Sequence, residues 1–298
     1  MYSPGKGDAV MRRPYLGISV NGGGALGIGP LAFMCRLEQD TGRKLGDIAV
    51  AFAGTSTGAI IAAGLDEGYS AHDLYDLYRK NLPRIFTKYP WYKRIQAGCP
   101  TYDNTFLKNL LKEKFKGTMD QFRKPIFIPA THTNGESVEK VWDLGDKGVD
   151  KAFSILTSTA APTYFDCVQK DGKNFVDGGM WANSAIAVLN AGMKRSAYRD
   201  QMRILSFNTG METPNTLTGN QTLLGWGKYI MEEWVARAGK SNEYEVIADL
   251  GEENVAVASP KHGKKIKMDD TSSKTLDLVT EIWTDYYDAN RDYFRNFV

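Results

Sequence analysis

Three short stretches of this 298-residue chain combine residue types that could break an ester. Gly54–Gly58 reads GTSTG. Glycines on both sides of Ser56 would let the chain turn sharply and hold the hydroxyl clear of the backbone, which a serine nucleophile requires. Asn21–Gly27 reads NGGGALG. Lacking side chains, Gly22, Gly23 and Gly24 leave their backbone N–H groups unobstructed. At a helix start such groups face any negative charge, whether a pyrophosphate or a tetrahedral oxyanion. Asp177–Gly179 reads DGG. An aspartate before two glycines is an ordinary turn residue, but beside a serine its carboxylate can take the hydroxyl proton, the part histidine plays in a triad. A free aspartate, with a pKa of about 3.9, is a weak base. The chemistry therefore predicts an Asp177 that is partly buried and accepts few hydrogen bonds besides the one from Ser56.

Other readings of these residues explain less. Gly22, Gly24 and Gly27 also satisfy the dinucleotide-binding pattern GxGxxG. The acidic residue about 20 positions on, Asp47, precedes a strand instead of ending one, and that reading leaves GTSTG and DGG unused. A Ser–Asp–His order, as in α/β-hydrolases, would enlist His262. It lies in the short basic run Lys261–Lys267, which reads as a solvated loop or edge strand. His72 at a helix start and His132 at a strand end read as surface or packing residues. Cys35, Cys99 and Cys167 are too few and too scattered for a disulfide framework, and with three histidines they supply no zinc-ligand spacing. No metal or cofactor is expected.

The elements that must carry these stretches follow from the apolar pattern. Tyr15–Val20 reads as a buried strand running into the glycines, and helical spacing from Leu26 ends at Gly42, a C-cap residue. Ile48–Gly54 is a second buried strand, turning at Ser56 into the small-residue helix GAIIAAGLDEG. A helix opens at Ser70, with Asp73 three residues on, and runs to about Asn81. IFIPATHT and SVEKVWDL are strands about an Asn134–Gly135 turn, and VDKAFSILTSTAAP is a helix stopped by Pro162. NFVDGG and RILSFNTG are further strands; the last third is mostly helical, with strong apolar spacing from Leu276 to Phe297. This alternation predicts an α/β fold, a mostly parallel central sheet sandwiched by helices, in one domain over 15–298 after a loose lead-in, 1–14. Its motif-bearing core is about 15–210 and its helix-rich part 211–298. With 42% hydrophobic and 24% charged residues the composition is that of an ordinary globular protein, and a net charge of +2 gives no argument for nucleic acid. Without a signal-like stretch or 18 consecutive apolar residues the chain reads as cytoplasmic.

The combination of motifs closely resembles the patatin-like phospholipases over residues 15 to 210. The glycine loop, GTSTG and DGG stand in that family's order. GTSTGAIIAAGLDEGYS is similar to its nucleophile helix, TAAPTYF (Thr159–Phe165) to its Ala-Ala-Pro segment, and DGGMWANSA to the stretch after its aspartate, with Asn183 at the Asn position. The resemblance implies a three-layer α/β/α fold, Ser56 as nucleophile, Asp177 as base, and Gly22, Gly23 and Gly24 as oxyanion donors. It implies a phospholipase A or lysophospholipase activity that needs no metal. Two positions depart from the family: Leu26 where many relatives carry Arg or Lys, and Ala185 where they carry Pro. The alternatives are an effector of the same chemistry switched on by a cyclic nucleotide or another small molecule, and a catalytically weak lipid-binding protein, argued only by Leu26. Arg84–Gly98 interleaves Phe86, Tyr89, Trp91 and Tyr92 with Lys88, Lys93 and Arg94. That mixture suits either a lid over the core or peripheral contact with anionic headgroups.

Overall fold

The computed structural model describes residues 14–95, 99–135, 138–198, 201–210, 222, 226, 229, 235–263 and 265–298. Most of the lead-in, residues 96–98 of the aromatic segment and most of 211–234 lie outside the described residues.

The strands are β1 (Tyr15–Val20), β2 (Ala49–Gly54), β3 (Ile126–His132), β4 (Glu139–Trp142), β5 (Val168–Lys170), β6 (Lys173–Asp177), β7 (Met202–Phe207) and β8 (Val255–Ala258). They form one sheet in the order β5-β6-β3-β2-β1-β7-β8, with β4 also on β3. The half from β3 through β8 is parallel, and its strands are mostly apolar because helices cover both faces. At the other edge β4 and β6 run antiparallel to β3, and β5 antiparallel to β6. The Asn134–Gly135 turn lies between β3 and β4, as the alternating runs predict. The sandwiched sheet is thus as expected, with a mixed edge.

One helical layer holds α1 (Ile28–Thr41), the one-turn α2 (Leu45–Ile48), α3 (Thr57–Asp66), α4 (Ala71–Ile85), the short α5 (Trp91–Arg94), α6 (Thr105–Lys114) and α7 (Lys151–Ser158). The opposite layer is built on α9 (Ile186–Lys194), which follows the one-turn α8 (Gly179–Ala182), and on α10 (Val235–Leu250). Gly17 of β1 faces Met193 and Leu189 of α9, so its missing side chain is what lets that helix seat on the sheet. α1 ends at Gly42, whose φ of 64° is the left-handed cap that glycine adopts without strain. α4 starts at a capping box: Asp73 N–H donates to Ser70 Oγ at 3.1 Å and Ser70 N–H to Asp73 Oδ2 at 2.9 Å. The helix extends to Ile85, past the predicted end.

α11 (Ser273–Ala289) and α12 (Arg291–Phe297) close the chain against α1. Trp283, Tyr287 and Phe294 are fully buried around Phe33, and each such side chain contributes about 2–3 kcal/mol by leaving water. The tail therefore belongs to the same core as β1 and β2. No described helix is long and apolar enough to cross a membrane.

Candidate active site

The corner after β2 is shaped by backbone against backbone. A side chain on Gly54 would strike the carbonyl of Gly58, and one on Gly58 would strike the carbonyl of Val20 in β1. This close approach of α3 to β1 forces Ser56 to φ 56°, ψ −122°, a conformation costly for any residue with a Cβ. Up to its last residue, Asp66, α3 is made of small and aliphatic residues; all ten are buried, and its N-terminus lies directly behind Ser56. There the unsatisfied N–H groups and the helix dipole favour negative charge. Ser56 N–H donates to the buried Ser158 Oγ at 3.0 Å, and Thr55 Oγ1 donates to the Ala182 carbonyl at 2.6 Å. The corner is thereby tied to α7 and α8.

Asp177 reaches Ser56 from an unexpected direction. It does not end the next parallel strand: β6 runs back along β3, which separates it from β2, and sets Asp177 opposite Ala130. Its backbone is fixed by N–H donation to Ala160 at 3.0 Å and by Thr131 Oγ1, which donates to its carbonyl at 2.7 Å. Its side chain is 6% exposed. Oδ1 accepts the Gly179 N–H at 2.7 Å, and the Ser56 hydroxyl lies within hydrogen-bonding influence of the carboxylate. Burial pushes this carboxyl up to about 6, against the smaller opposing pulls of Gly179 and Ser56. A carboxylate so placed is a better proton acceptor near neutrality than a solvated one. The burial is greater than the composition of the motif alone demands, and the short list of partners is as expected.

The glycine loop faces Ser56 but is not uniform. A Cβ on Gly22 would meet Asn183 Oδ1 at 2.5 Å and Ser56 Cβ at 3.3 Å. The Gly22 N–H is already donated to the Asn183 carbonyl at 3.1 Å, and its own carbonyl accepts Thr209 Oγ1 at 3.0 Å. Gly22 is thus a clamp, not a free donor as the motif suggested. Gly23 and Gly24 N–H groups find no protein acceptor among the described residues. Gly24 has φ 57°. The next residue, Ala25, donates to the Met268 carbonyl at 2.7 Å, and Leu26 N–H closes the turn on Gly23 at 3.1 Å. Leu26 itself is 7% exposed and packs into the main core, where its side chain has no need of a counter-ion. Ala185 has φ −82°, close to the value a proline would impose, so that departure leaves the backbone alike.

Phe86 lines the loop, its ring 3.3 Å from where a Gly24 Cβ would sit, and packs on Tyr102 and Phe165. Further along, Tyr89 donates to Asp166 Oδ2 at 2.8 Å. Trp91, Tyr92 and Ile95 point outward, 69%, 55% and 75% exposed. The segment is thus held inward at Phe86 and Tyr89 and open to solvent at Trp91, Tyr92 and Ile95.

The histidines stand apart. His72 is exposed beside Asp76, and His132 stacks on Phe175. His262 is buried, contrary to a solvated loop. It packs on Gly210, burial lowers its pKa, and neither ring nitrogen has a hydrogen-bond partner. None bonds to Ser56 or Asp177. No three His, Cys, Asp or Glu side chains gather as metal ligands among the described residues. Sequence reasoning missed Ser158, Thr209 and Met268, whose bonds to the site span long stretches of chain. Asn183 alone carried a signal, its place after DGG.

A three-layer α/β/α sheet with a serine elbow, a facing glycine loop and a buried aspartate defines the class. The sequence model of patatin-like phospholipases matches residues 18–190, well over half the chain, and the chain belongs to that family. A cGAMP-activated phospholipase of Vibrio cholerae is 30% identical over 252 residues, 70% of each chain. Another from Pseudomonas aeruginosa is 29% identical over 176 residues, 56% of this chain and 53% of that one, so this chain spans about half of that relative's length. Human GIVD cytosolic phospholipase A2 shares the fold at TM-score 0.50 and 11% identity, covering 95% of this chain and 60% of that one.

Proposed function

We propose that this protein hydrolyses carboxylic esters of phospholipids, as a phospholipase A or lysophospholipase, through Ser56 and Asp177. The observation that carries the reading is a strained serine beside a buried carboxyl, on a corner next to a glycine loop whose Gly23 and Gly24 N–H groups have no protein acceptor among the described residues. Ser56 Oγ attacks the acyl carbonyl as its proton passes to Asp177. The oxyanion accepts from Gly23 and Gly24, each such donor being worth about 3 kcal/mol. Collapse expels the lipid alkoxide, which takes the proton from Asp177, and leaves an acyl-enzyme. Water, deprotonated by Asp177, then releases the fatty acid and restores Ser56. No step uses a metal, so activity withstands chelators. Phe86, Tyr102 and Phe165 offer the acyl chain an apolar wall beside the loop. Trp91, Tyr92 and Ile95, with Lys88, Lys93 and Arg94 among them, rest on an anionic lipid surface, the rings at headgroup depth.

The test is fatty-acid release from mixed phospholipid vesicles. Wild type should release it, with Ser56→Ala and Asp177→Asn each lower by about 1,000-fold or more. Undiminished release by Asp177→Asn overturns the dyad. A second reading, the same chemistry held off until a small molecule binds, is favoured by the names of the Vibrio and Pseudomonas relatives. Release that begins only on adding cGAMP selects it.

A further inference from the structure

Tyr102 turns its ring to the apolar wall beside the glycine loop, but its hydroxyl is engaged elsewhere. It donates to Asp269 Oδ2 at 2.6 Å, joining residues 167 positions apart. Tyr102 is buried, and its backbone is pinned: its N–H donates to the Tyr164 carbonyl at 2.8 Å, and the Asp103 N–H to the Thr87 carbonyl at 3.0 Å. Burial, and then the bond to Asp269, raises the pKa of the hydroxyl, which therefore stays a donor at physiological pH.

Asp269 lies in a tight turn that also supports the glycine loop. Asp270 N–H donates to the Lys267 carbonyl at 3.1 Å, which puts Met268 and Asp269 at the two central positions. The Met268 carbonyl belongs to the peptide between them. It accepts from Ala25 at 2.7 Å, and a Cβ on Gly24 would strike it. This central peptide is the part of a turn that rotates: type I and type II turns differ by about a half-turn of it, which sends the carbonyl to the opposite face. Type II needs a positive φ at the second central residue, and Asp269 does not have one. Aspartate tolerates that conformation, so the backbone alone fixes the carbonyl weakly. Side chains supply the rest. Asp270 accepts from Ser272 N–H at 3.0 Å and from Thr275 Oγ1 at 2.8 Å, which fastens one side of the turn to the start of α11. Tyr102 holds the other side through Asp269.

We infer that Tyr102 and Asp269 are positioning residues for the oxyanion donors: their bond holds the Met268 carbonyl on Ala25 and so keeps the Gly23 and Gly24 N–H groups in place. The role rests on the proposed hydrolysis, so the test includes one readout that needs no turnover.

Tyr102→Phe keeps the ring in the wall and removes only the bond. In amide exchange followed by NMR, Ala25 should exchange about 10-fold or more faster in this variant. Phe52 of β2, bonded to the Pro125 carbonyl, should be unchanged. On a soluble short-chain ester kcat should fall by about 10-fold with KM near wild type, because misplaced donors weaken transition-state binding alone. Asp269→Asn, whose amide oxygen still accepts the hydroxyl, should lose less than Asp269→Ala. Tyr102→Phe/Asp269→Ala should lose no more than Asp269→Ala does. Tyr287→Phe is the control. It deletes a like bond from α11, to Asp40 Oδ2 at 2.8 Å, about 18 Å along α1 from the start of that helix. It should leave kcat and Ala25 exchange unchanged. Wild-type exchange at Ala25 in Tyr102→Phe overturns the role. So does a rise in KM with kcat unchanged, which would leave Tyr102 in the acyl wall only, and so do equal losses of kcat in Tyr102→Phe and Tyr287→Phe. A wild type that cleaves no ester overturns the hydrolysis instead, and exchange at Ala25 still decides whether Tyr102 and Asp269 hold the loop.

Discussion

The Ser56 corner and the segment leaving it at Phe86 lie against the same glycine loop, yet they are held in opposite ways. At the corner, backbone meets backbone: Gly54 against Gly58, Gly58 against Val20, and Ser56 driven to a positive φ. Along the segment, side chains do the holding. Phe86 packs inward, Tyr89 is tied to Asp166, and α5 has no buried residue at all. On the proposed function, the difference would separate two demands. A nucleophile must stay within a fraction of an ångström of its base and donors. A surface that settles on lipid must offer apolar area and tolerate many partners.

Three experiments would break or sharpen that contrast. The largest effect belongs to Gly58→Ala. Its added methyl meets a backbone carbonyl that cannot rotate away, so about 3 kcal/mol or more of stability should be lost in urea unfolding. Wild-type stability in this variant would mean the corner is not set by close packing.

Next comes Asp177→Asn. Burial raises the folded-state pKa from 3.8 to about 6. A carboxyl shifted upward stabilises the fold in its protonated form, fully below its unfolded pKa, and that contribution is lost as pH rises through 6. An amide carries no charge at any pH, so the variant should be more stable than wild type at pH 8, by up to about 3 kcal/mol, and match it near pH 3. Hydrolysis by wild type should show the inverse trend, rising with pH through about 6. A variant less stable than wild type at pH 8 would show that Asp177 is held by favourable contacts, not kept at a cost.

The smallest effect is at the exposed segment. Trp91→Ala/Tyr92→Ala/Ile95→Ala should leave the melting temperature and the hydrolysis of a soluble short-chain ester unchanged. Partition onto anionic vesicles should fall by about 10-fold. Equal losses on both substrates would place these residues in the site proper.

Much of the corner was legible in the sequence because its geometry is local. Glycine at 54 and 58 and small residues through α3 encode a close approach within a dozen positions. The capping box at Ser70, the left-handed cap at Gly42 and the parallel strands β1 and β2 were readable for the same reason. What escaped depends on partners remote in sequence. The donation of Gly22 to Asn183 and the grip of Ser158 on Ser56 join segments more than 100 residues apart. The direction of β6 is set by its pairing with β3, on which its own five residues are silent. β8, only Val255–Ala258, is too short for its apolar run to be told from helix, and the tail around it was read as helical. The α6 helix has a clear apolar stripe that the reading passed over, with Leu107 and Leu111 buried.

The bond from Ala25 to Met268 has a consequence for the order of events during synthesis. All three motifs have been made by residue 179, while the residue that anchors the glycine loop and the α11 helix that packs against α1 come about 90 residues later. A growing chain therefore carries Ser56 and Asp177 before the residue that ties the glycine loop in place has been made.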